Sequence, residues 1–131
     1  MTFLLDHIAI KVDDMERACR LFTSKGATLD SLAYYPEVGM QIAFLSLNGS
    51  VYELLKPVDA FCPIAGINDG LHHIAIAVDS IEQMHSALSA SGSFESVQPI
   101  RQGRHGRIFF FSIKGMPLIQ YECMEKQHEH E

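Results

Sequence analysis

Two histidines stand at equivalent places in a phrase that the chain contains twice. Residues 6 to 16 read DHIAIKVDDME, and residues 72 to 82 read HHIAIAVDSIE. When the two phrases are aligned, His7 falls on His73, and seven of the eleven positions are identical. Imidazoles combined with carboxylates suit a divalent transition metal ion. A lone histidine is more often structural, so the repetition is what makes His7 and His73 candidate metal ligands.

The repeated phrase has the period-2 pattern of a β-strand with two different faces. In the first copy a branched apolar set alternates with a smaller, more polar set: Ile8, Ile10 and Val12 against His7, Ala9 and Lys11. The branched face predicts a packed layer, and the other face predicts the floor of a cavity. In the second copy the same parity selects His73, because His72 shares the face of Ile74.

Helix and hairpin signals follow each of these strands in the same order. Asp13 to Glu16 and Ser80 to Gln83 have the spacing of a capping box, which predicts a helix after each strand. Asn48-Gly49 and Lys114-Gly115 each separate two apolar runs and predict hairpins. Each half therefore reads βαβββ. We expect one domain over residues 1–125, with a βαβββ module at 1–57, a linker at 58–70, a second βαβββ module at 71–125, and a flexible tail at 126–131.

Length and composition restrict the classes of protein. With 131 residues and 47% hydrophobic content the chain is the size of one domain. A net charge of -6 argues against a nucleic-acid partner, which requires a basic surface. The apolar runs are far shorter than a membrane span, and the first residues do not resemble a signal peptide. We therefore expect a cytoplasmic protein. The three cysteines fit neither a disulfide framework nor a thiolate metal site, and we expect them to be reduced and partly buried.

The duplicated βαβββ pattern resembles the vicinal-oxygen-chelate superfamily over nearly the whole chain. Within it the similarity to methylmalonyl-CoA epimerase rests on LDHIAIKVDD, VYELLKP, CPIAG, GLHHIAIAVD and GRHGR. The resemblance implies a glyoxalase-like α+β fold, in which two tandem βαβββ modules form a cupped mixed β-sheet with helices on its outer face. It also implies a homodimer and a small-molecule substrate.

The resemblance further implies a metal site in which each half supplies a His from its first strand and a carboxylate or amide from its last strand. In this sequence the ligands would be His7, Glu53, His73 and Glu122, holding one divalent ion such as Zn, Ni, Co, Mn or Fe. Gln120 shares a strand face with Glu122 and remains an alternative. We favour Glu122 because it completes a site of two imidazoles and two carboxylates. This choice requires the second hairpin to be three residues longer than the first.

The implied chemistry is that of a metal-dependent isomerase or lyase acting through a metal-stabilised enolate, with Glu122 or Glu53 as the catalytic base. The substrate would be an anionic acyl or α-oxo compound. Candidate substrate-binding residues are Lys11, Gln41, Arg101, Arg104 and Arg107. Gln41 stands on the strand where some bacterial epimerases carry a second carboxylate, and an amide cannot act as a base at neutral pH.

Three other functions share parts of this pattern. A glyoxalase I-like lactoylglutathione lyase would use the same four ligands, but its glutathione-binding arginines have no match here. An Fe(II) extradiol dioxygenase would use His7, His73 and Glu122 and leave Glu53 without a role. A non-catalytic antibiotic-binding or resistance protein would have the same fold, although such proteins usually lose the ligand set.

Overall fold

The computed structural model of the chain describes residues 3–103 and 106–126. Within these ranges it is a mixed β-sheet fold of nine strands and two helices. The elements are β1 Phe3–Lys11, α1 Met15–Ser24, β2 Thr28–Tyr35, β3 Met40–Leu47, β4 Ser50–Pro57, β5 Gly70–Val78, α2 Ile81–Ser91, β6 Phe94–Glu95, β7 Arg101–Gly103, β8 Gly106–Ile113 and β9 Met116–Glu125. The chain divides into two compact units, His7–His72 and Met1–Asp6 with His73–Glu131.

In the unit His7–His72 the strands follow the order β2-β3-β4-β1. β3 pairs antiparallel with both β2 and β4, whereas β1 runs parallel to β4. Helix α1 packs on one face of this sheet, where it buries Ala43, Leu45 and Leu54. The opposite face carries a second apolar cluster that includes Ala9 and Ile42. The two faces of β3 therefore belong to different environments.

The other unit repeats this plan with one modification. β5 runs parallel to β9, and β8 pairs antiparallel with β9 and with the short strands β6 and β7. These two strands are pieces of one edge strand, interrupted between Ser96, whose φ is 55°, and Pro99, which has no amide hydrogen to donate. Helix α2 packs against Phe109 and Phe111 on one face of the sheet. The expected βαβββ order of both halves is confirmed.

The helix starts were predicted correctly in one half only. Ser80 caps α2, because its side chain accepts a hydrogen bond of 3.2 Å from the Gln83 amide. In the first half the cap is Asp14, which accepts a hydrogen bond of 3.0 Å from the Arg17 amide. The expected cap Asp13 is wrong by one residue, since its carboxylate accepts a hydrogen bond from Lys11 instead.

The hairpins have the expected positions and lengths. Asn48 and Gly49 both have positive φ, 51° and 84°, as the turn between β3 and β4 requires. In the second hairpin Ser112 lies opposite Gln120, but Ile113 lies opposite Met116, whereas an uninterrupted ladder would place residue 119 there. β9 therefore contains three additional residues, which is the lengthening that the alignment of Glu122 requires.

Neither helix in the described part of the chain has the length and apolar character that a membrane crossing requires. The three cysteines are free thiols and are buried, as expected: Cys19, Cys62 and Cys123. The predicted tail at 126–131 lies outside the described residues except for Lys126.

Candidate functional site

The unit His7–His72 places His7 beside Glu53. Parallel pairing of β1 with β4 sets Ala9 opposite Glu53, so the carboxylate points to the same side of the sheet as His7. The distance from His7 Nε2 to Glu53 Oε1 is 3.4 Å, and the two side chains are 9% and 14% exposed. The Phe44 ring and the imidazole are nearly perpendicular, with 6.5 Å between ring centres. A buried imidazole and a nearly buried carboxylate thus form one His–Glu pair.

The other unit places His73 beside Glu122 in the same way. Ala75 lies opposite Glu122 in the parallel pair of β5 with β9. The distance from His73 Nε2 to Glu122 Oε1 is 3.2 Å, with side-chain exposures of 7% and 13%. The Phe110 ring meets the imidazole edge-on, with 5.8 Å between ring centres. Gln120 lies one pleat away on the same face, opposite Ser112, so Glu122 is the residue that stands next to the imidazole.

The two His–Glu pairs occupy corresponding positions of the sequence duplication. When the halves are aligned on their histidines, Ala9 falls on Ala75 and Phe44 falls on Phe110. The glutamates lie further apart in the chain than the histidines do, and the three additional residues of β9 account for the difference. Each half therefore builds the same pair from the same local geometry. Nitrogen and carboxylate oxygen donors in this combination suit a divalent transition metal ion.

Lys11 is not available to a substrate. It is buried, with 4% of its surface exposed, on the face of β1 that carries His7 and Ala9. Its ammonium donates hydrogen bonds of 2.7 Å to Asp13 and 2.9 Å to Asp69. These bonds, first to Asp13 and then to Asp69, raise the pKa of Lys11. The expected substrate contact is therefore replaced by an ion-pair anchor that holds the end of the linker against β1.

Gln41 lies on the wrong face of β3 to contact a substrate beside His7. Phe44, the neighbour of His7, is three residues away, and an odd separation on a strand reverses the side of the sheet. Gln41 lies opposite Lys56, and both line a groove of about 790 Å³ beside helix α1. The other residues of β3 that share the face of Phe44 are Met40, Ile42 and Ser46. The prediction that Gln41 binds substrate at this site is not supported by its position.

The basic segment 101–107 separates into residues of different environment. Arg107 pairs with two carboxylates, at 2.6 Å from Glu125 and 2.5 Å from Glu82 of α2. The hydrogen bonds that this guanidinium donates, first to Glu125 and then to Glu82, raise its pKa. Arg107 is therefore a structural ion-pair partner rather than the expected substrate contact. Arg101 instead lies over the Phe110 ring, and Arg104 lies outside the described residues.

Asp69 and the ring contacts of Phe44 and Phe110 are features of these sites that sequence reasoning missed. The phenylalanines could have been found, because both stand in the repeated segments FLSLNG and FFSIKG. Asp69 gave no local signal, because it lies 58 residues from Lys11 in the linker.

Residues 6–111 match the Glyoxalase/Bleomycin resistance protein/Dioxygenase superfamily. The chain is 32% identical over 113 residues to the human "Methylmalonyl-CoA epimerase, mitochondrial", covering 82% of this chain and 64% of that protein. The chain thus spans less than two thirds of the length of the human relative. It is 31% identical over 115 residues to the "Ethylmalonyl-CoA/methylmalonyl-CoA epimerase" of Cereibacter sphaeroides, covering 82% of this chain and 85% of that protein.

The fold is also similar to a solved structure of this kind. A crystal structure of methylmalonyl-CoA epimerase from Mycobacterium tuberculosis has a TM-score of 0.75 and 22% sequence identity, covering 95% of this chain and 88% of that chain. The glyoxalase-like fold class expected from the sequence is confirmed. The expected cytoplasmic location and homodimer stay predictions.

Proposed function

Because the chain belongs to the glyoxalase/bleomycin resistance protein/dioxygenase superfamily, we propose that it is a divalent-metal-dependent epimerase of a methylmalonyl-CoA-like thioester. The observation that carries this proposal is the His–Glu pair that each half builds at corresponding positions, His7 with Glu53 and His73 with Glu122. A non-catalytic binding protein would have no need for two such pairs. The epimerase names of the relatives support the choice of substrate class.

The proposed metal ligands are His7, Glu53, His73 and Glu122. Within each unit an imidazole and a carboxylate oxygen lie 3.4 Å or 3.2 Å apart, which supports the proposal. The donor set fits Zn, Ni, Co, Mn or Fe, since two imidazoles and two carboxylates combine borderline and hard ligands. Each of the three cysteines belongs to an apolar cluster, so no thiolate competes among the described residues. When bound, the divalent ion would act as a Lewis acid that makes the proton next to a carbonyl easier to remove.

Epimerisation removes a proton from one face of the α-carbon and returns a proton to the other. Two bases, or one mobile base, are therefore needed. On the face of β3 that carries Phe44, the other residues are Met40, Ile42 and Ser46, and none has a group that titrates near neutral pH. We therefore assign the two bases to Glu53 and Glu122, one from each half of the chain. A carboxylate that also served as a metal ligand would have to loosen that contact while it held the proton.

The experiment that tests the proposed function is deuterium exchange at the α-carbon of methylmalonyl-CoA. Protein loaded with Co²⁺ is incubated with the thioester in deuterated buffer, and deuterium incorporation is followed by mass spectrometry. We expect rapid incorporation that chelator removes. Glu53→Gln and Glu122→Gln each slow it by at least two orders of magnitude, the usual contribution of a positioned base. Gln41→Ala, on the helix side of β3, serves as the matched control and retains the rate.

The proposed function would be rejected if, with metal-loaded protein, the thioester incorporated no deuterium above the buffer background. A rate that is unchanged in both Gln variants would reject the assignment of the bases.

A further inference from the structure

The two arginines of the segment 101–107 that the structure describes lie on opposite faces of the sheet. Arg101 lies opposite Ile108 in the β7–β8 hairpin, whereas Arg107 lies opposite Gln102. In β8, Ile108 and Phe110 share a side, and Phe110 lies opposite Glu122. Arg101 therefore projects on the side of His73 and Glu122. Arg107 projects on the other side, where it pairs with Glu82 of helix α2.

The guanidinium of Arg101 is held in place by an aromatic ring and not by a carboxylate. Its Cζ atom lies 5.4 Å from the centre of the Phe110 ring. A cation–π contact does not need a hydrogen-bond acceptor, so the N–H groups of the guanidinium remain available to donate hydrogen bonds. Across residues 3–103 and 106–126 no carboxylate forms an ion pair with Arg101, and its side chain is exposed. A guanidinium whose N–H groups are available can bind an anion through two parallel hydrogen bonds.

Phe110 connects this cation with the metal-ligand pair of the same unit. The centre of its ring lies 5.8 Å from the centre of the His73 ring and 5.4 Å from the Arg101 guanidinium. A single aromatic ring therefore bridges the imidazole and the guanidinium. An anionic group attached directly to the reacting end of a substrate is the kind of group that a guanidinium on the same ring as the imidazole can bind. The phosphates of a coenzyme A thioester are separated from the reacting end by the long pantetheine arm and fit this position less well.

We propose that Arg101 binds the free carboxylate of a 2-carboxyacyl thioester and so selects this substrate class over thioesters of monocarboxylic acids. The inference rests on the proposed function, because it places the acyl group beside His73 and Glu122. A local cation is also what an anionic substrate needs on a protein of net charge -6.

The test compares thioesters that differ by one carboxylate. Methylmalonyl-CoA, propionyl-CoA and free coenzyme A are each titrated calorimetrically into Co²⁺-loaded protein. In the wild type we expect methylmalonyl-CoA to bind more tightly than propionyl-CoA. In Arg101→Gln the affinity for methylmalonyl-CoA falls at least tenfold, as expected for loss of a charge-assisted hydrogen bond, and the affinity for propionyl-CoA stays within twofold. Arg101→Lys keeps the charge but loses the planar fork, and its loss is smaller.

Arg107→Gln is the matched control, because it removes the same charge from the opposite face of the sheet. It lowers the melting temperature and leaves the ratio of the two thioester affinities unchanged. Circular dichroism spectra show whether each variant remains folded.

Three outcomes would overturn the inference. Arg101→Gln could weaken all three ligands equally, which would assign the arginine to the coenzyme phosphates. It could leave all affinities unchanged, or the wild type could bind the two thioesters equally. Failure of the proposed function is recognised separately, as absence of deuterium exchange in a wild-type protein that still distinguishes the two thioesters.

Discussion

Two adjacent phenylalanines of β8, Phe109 and Phe110, test whether one face of the sheet stabilises the fold while the other supports the proposed metal site. Phe109 is fully buried among the residues that pack against α2, whereas the half-buried Phe110 faces His73 and Arg101. Phe109→Ala should therefore cost about 3–5 kcal/mol of unfolding free energy. Phe110→Ala should cost only about 1 kcal/mol, because less surface is removed from a dry environment.

The expected melting temperatures follow from the length of the chain. For 131 residues the unfolding entropy is about 0.28 kcal/mol/K, so Phe109→Ala lowers the melting temperature by about 10–18 °C. Phe110→Ala lowers it by about 4 °C. For metal affinity the order should be reversed, with the larger loss in Phe110→Ala. Loss of the ring beside His73 weakens binding of Co²⁺ about tenfold, as loss of a supporting contact to a ligand does.

The assays are urea denaturation for the unfolding free energy and calorimetric titration of Co²⁺ for the metal affinity. Phe109→Leu, a milder truncation of the packed ring, keeps enough stability for the metal titration and should bind Co²⁺ like the wild type. Equal destabilisation by the two alanine variants would refute the division of faces. So would a loss of metal affinity in Phe109→Leu with none in Phe110→Ala.

Three further predictions concern single groups. Burial raises the pKa of the Cys123 thiol to about 12. In folded protein at pH 8, iodoacetamide should therefore alkylate this thiol about a thousandfold more slowly than an ordinary thiol, whereas in denaturant it should react normally. Comparable rates in folded and denatured protein would contradict the burial of Cys123. The hydrogen bond from Lys11 lowers the pKa of Asp69, so this carboxylate stabilises the fold above its ordinary pKa of 3.8 and loses that effect as the pH falls through its folded value. Thermal melting should therefore show that Asp69→Asn loses less stability than the wild type as the pH falls below about 4. Equal losses of stability in the two proteins would contradict the ion pair. Glu122→Gln should weaken Co²⁺ binding at least tenfold and Gln120→Ala less than twofold, and the reverse order would assign the ligand to Gln120.

The arrangement of each His–Glu pair follows from signals that a sequence contains. Strand parity places His7 on the side of Ala9, and the same rule selects His73. The duplication then carries the geometry of one half to the other. The three additional residues of β9 are also visible in the sequence, because the two glutamates do not fall on each other when the histidines are aligned.

Strand parity also determines on which face of β3 Gln41 lies. The Asn48-Gly49 turn sets Leu47 opposite Ser50, and counting outward from it pairs Phe44 with Glu53 and Gln41 with Lys56. The sequence therefore contained enough information to place Gln41 on the helix side. Its neighbour Ile42, and not Gln41, shares the face of Phe44.

The ion pairs of Lys11 and Arg107 could not be predicted from local patterns. Lys11 binds Asp69 across 58 residues, and Arg107 binds Glu125 across 18 residues. Such partners are chosen by tertiary packing, and many acidic side chains in the sequence compete for each basic one. As a result, two of the side chains expected to contact substrate, Lys11 and Arg107, form ion pairs with carboxylates of the protein itself.

The proposed function depends on the proposal that one divalent ion is held by His7, Glu53, His73 and Glu122. The most direct test is elemental analysis and Co²⁺ titration of protein purified without chelator, compared with His7→Ala and His73→Ala. We expect one ion per chain in the wild type and loss of tight binding in each variant, with His72→Ala unaffected as the control. Two ions per chain, or tight binding that survives His7→Ala, would contradict it.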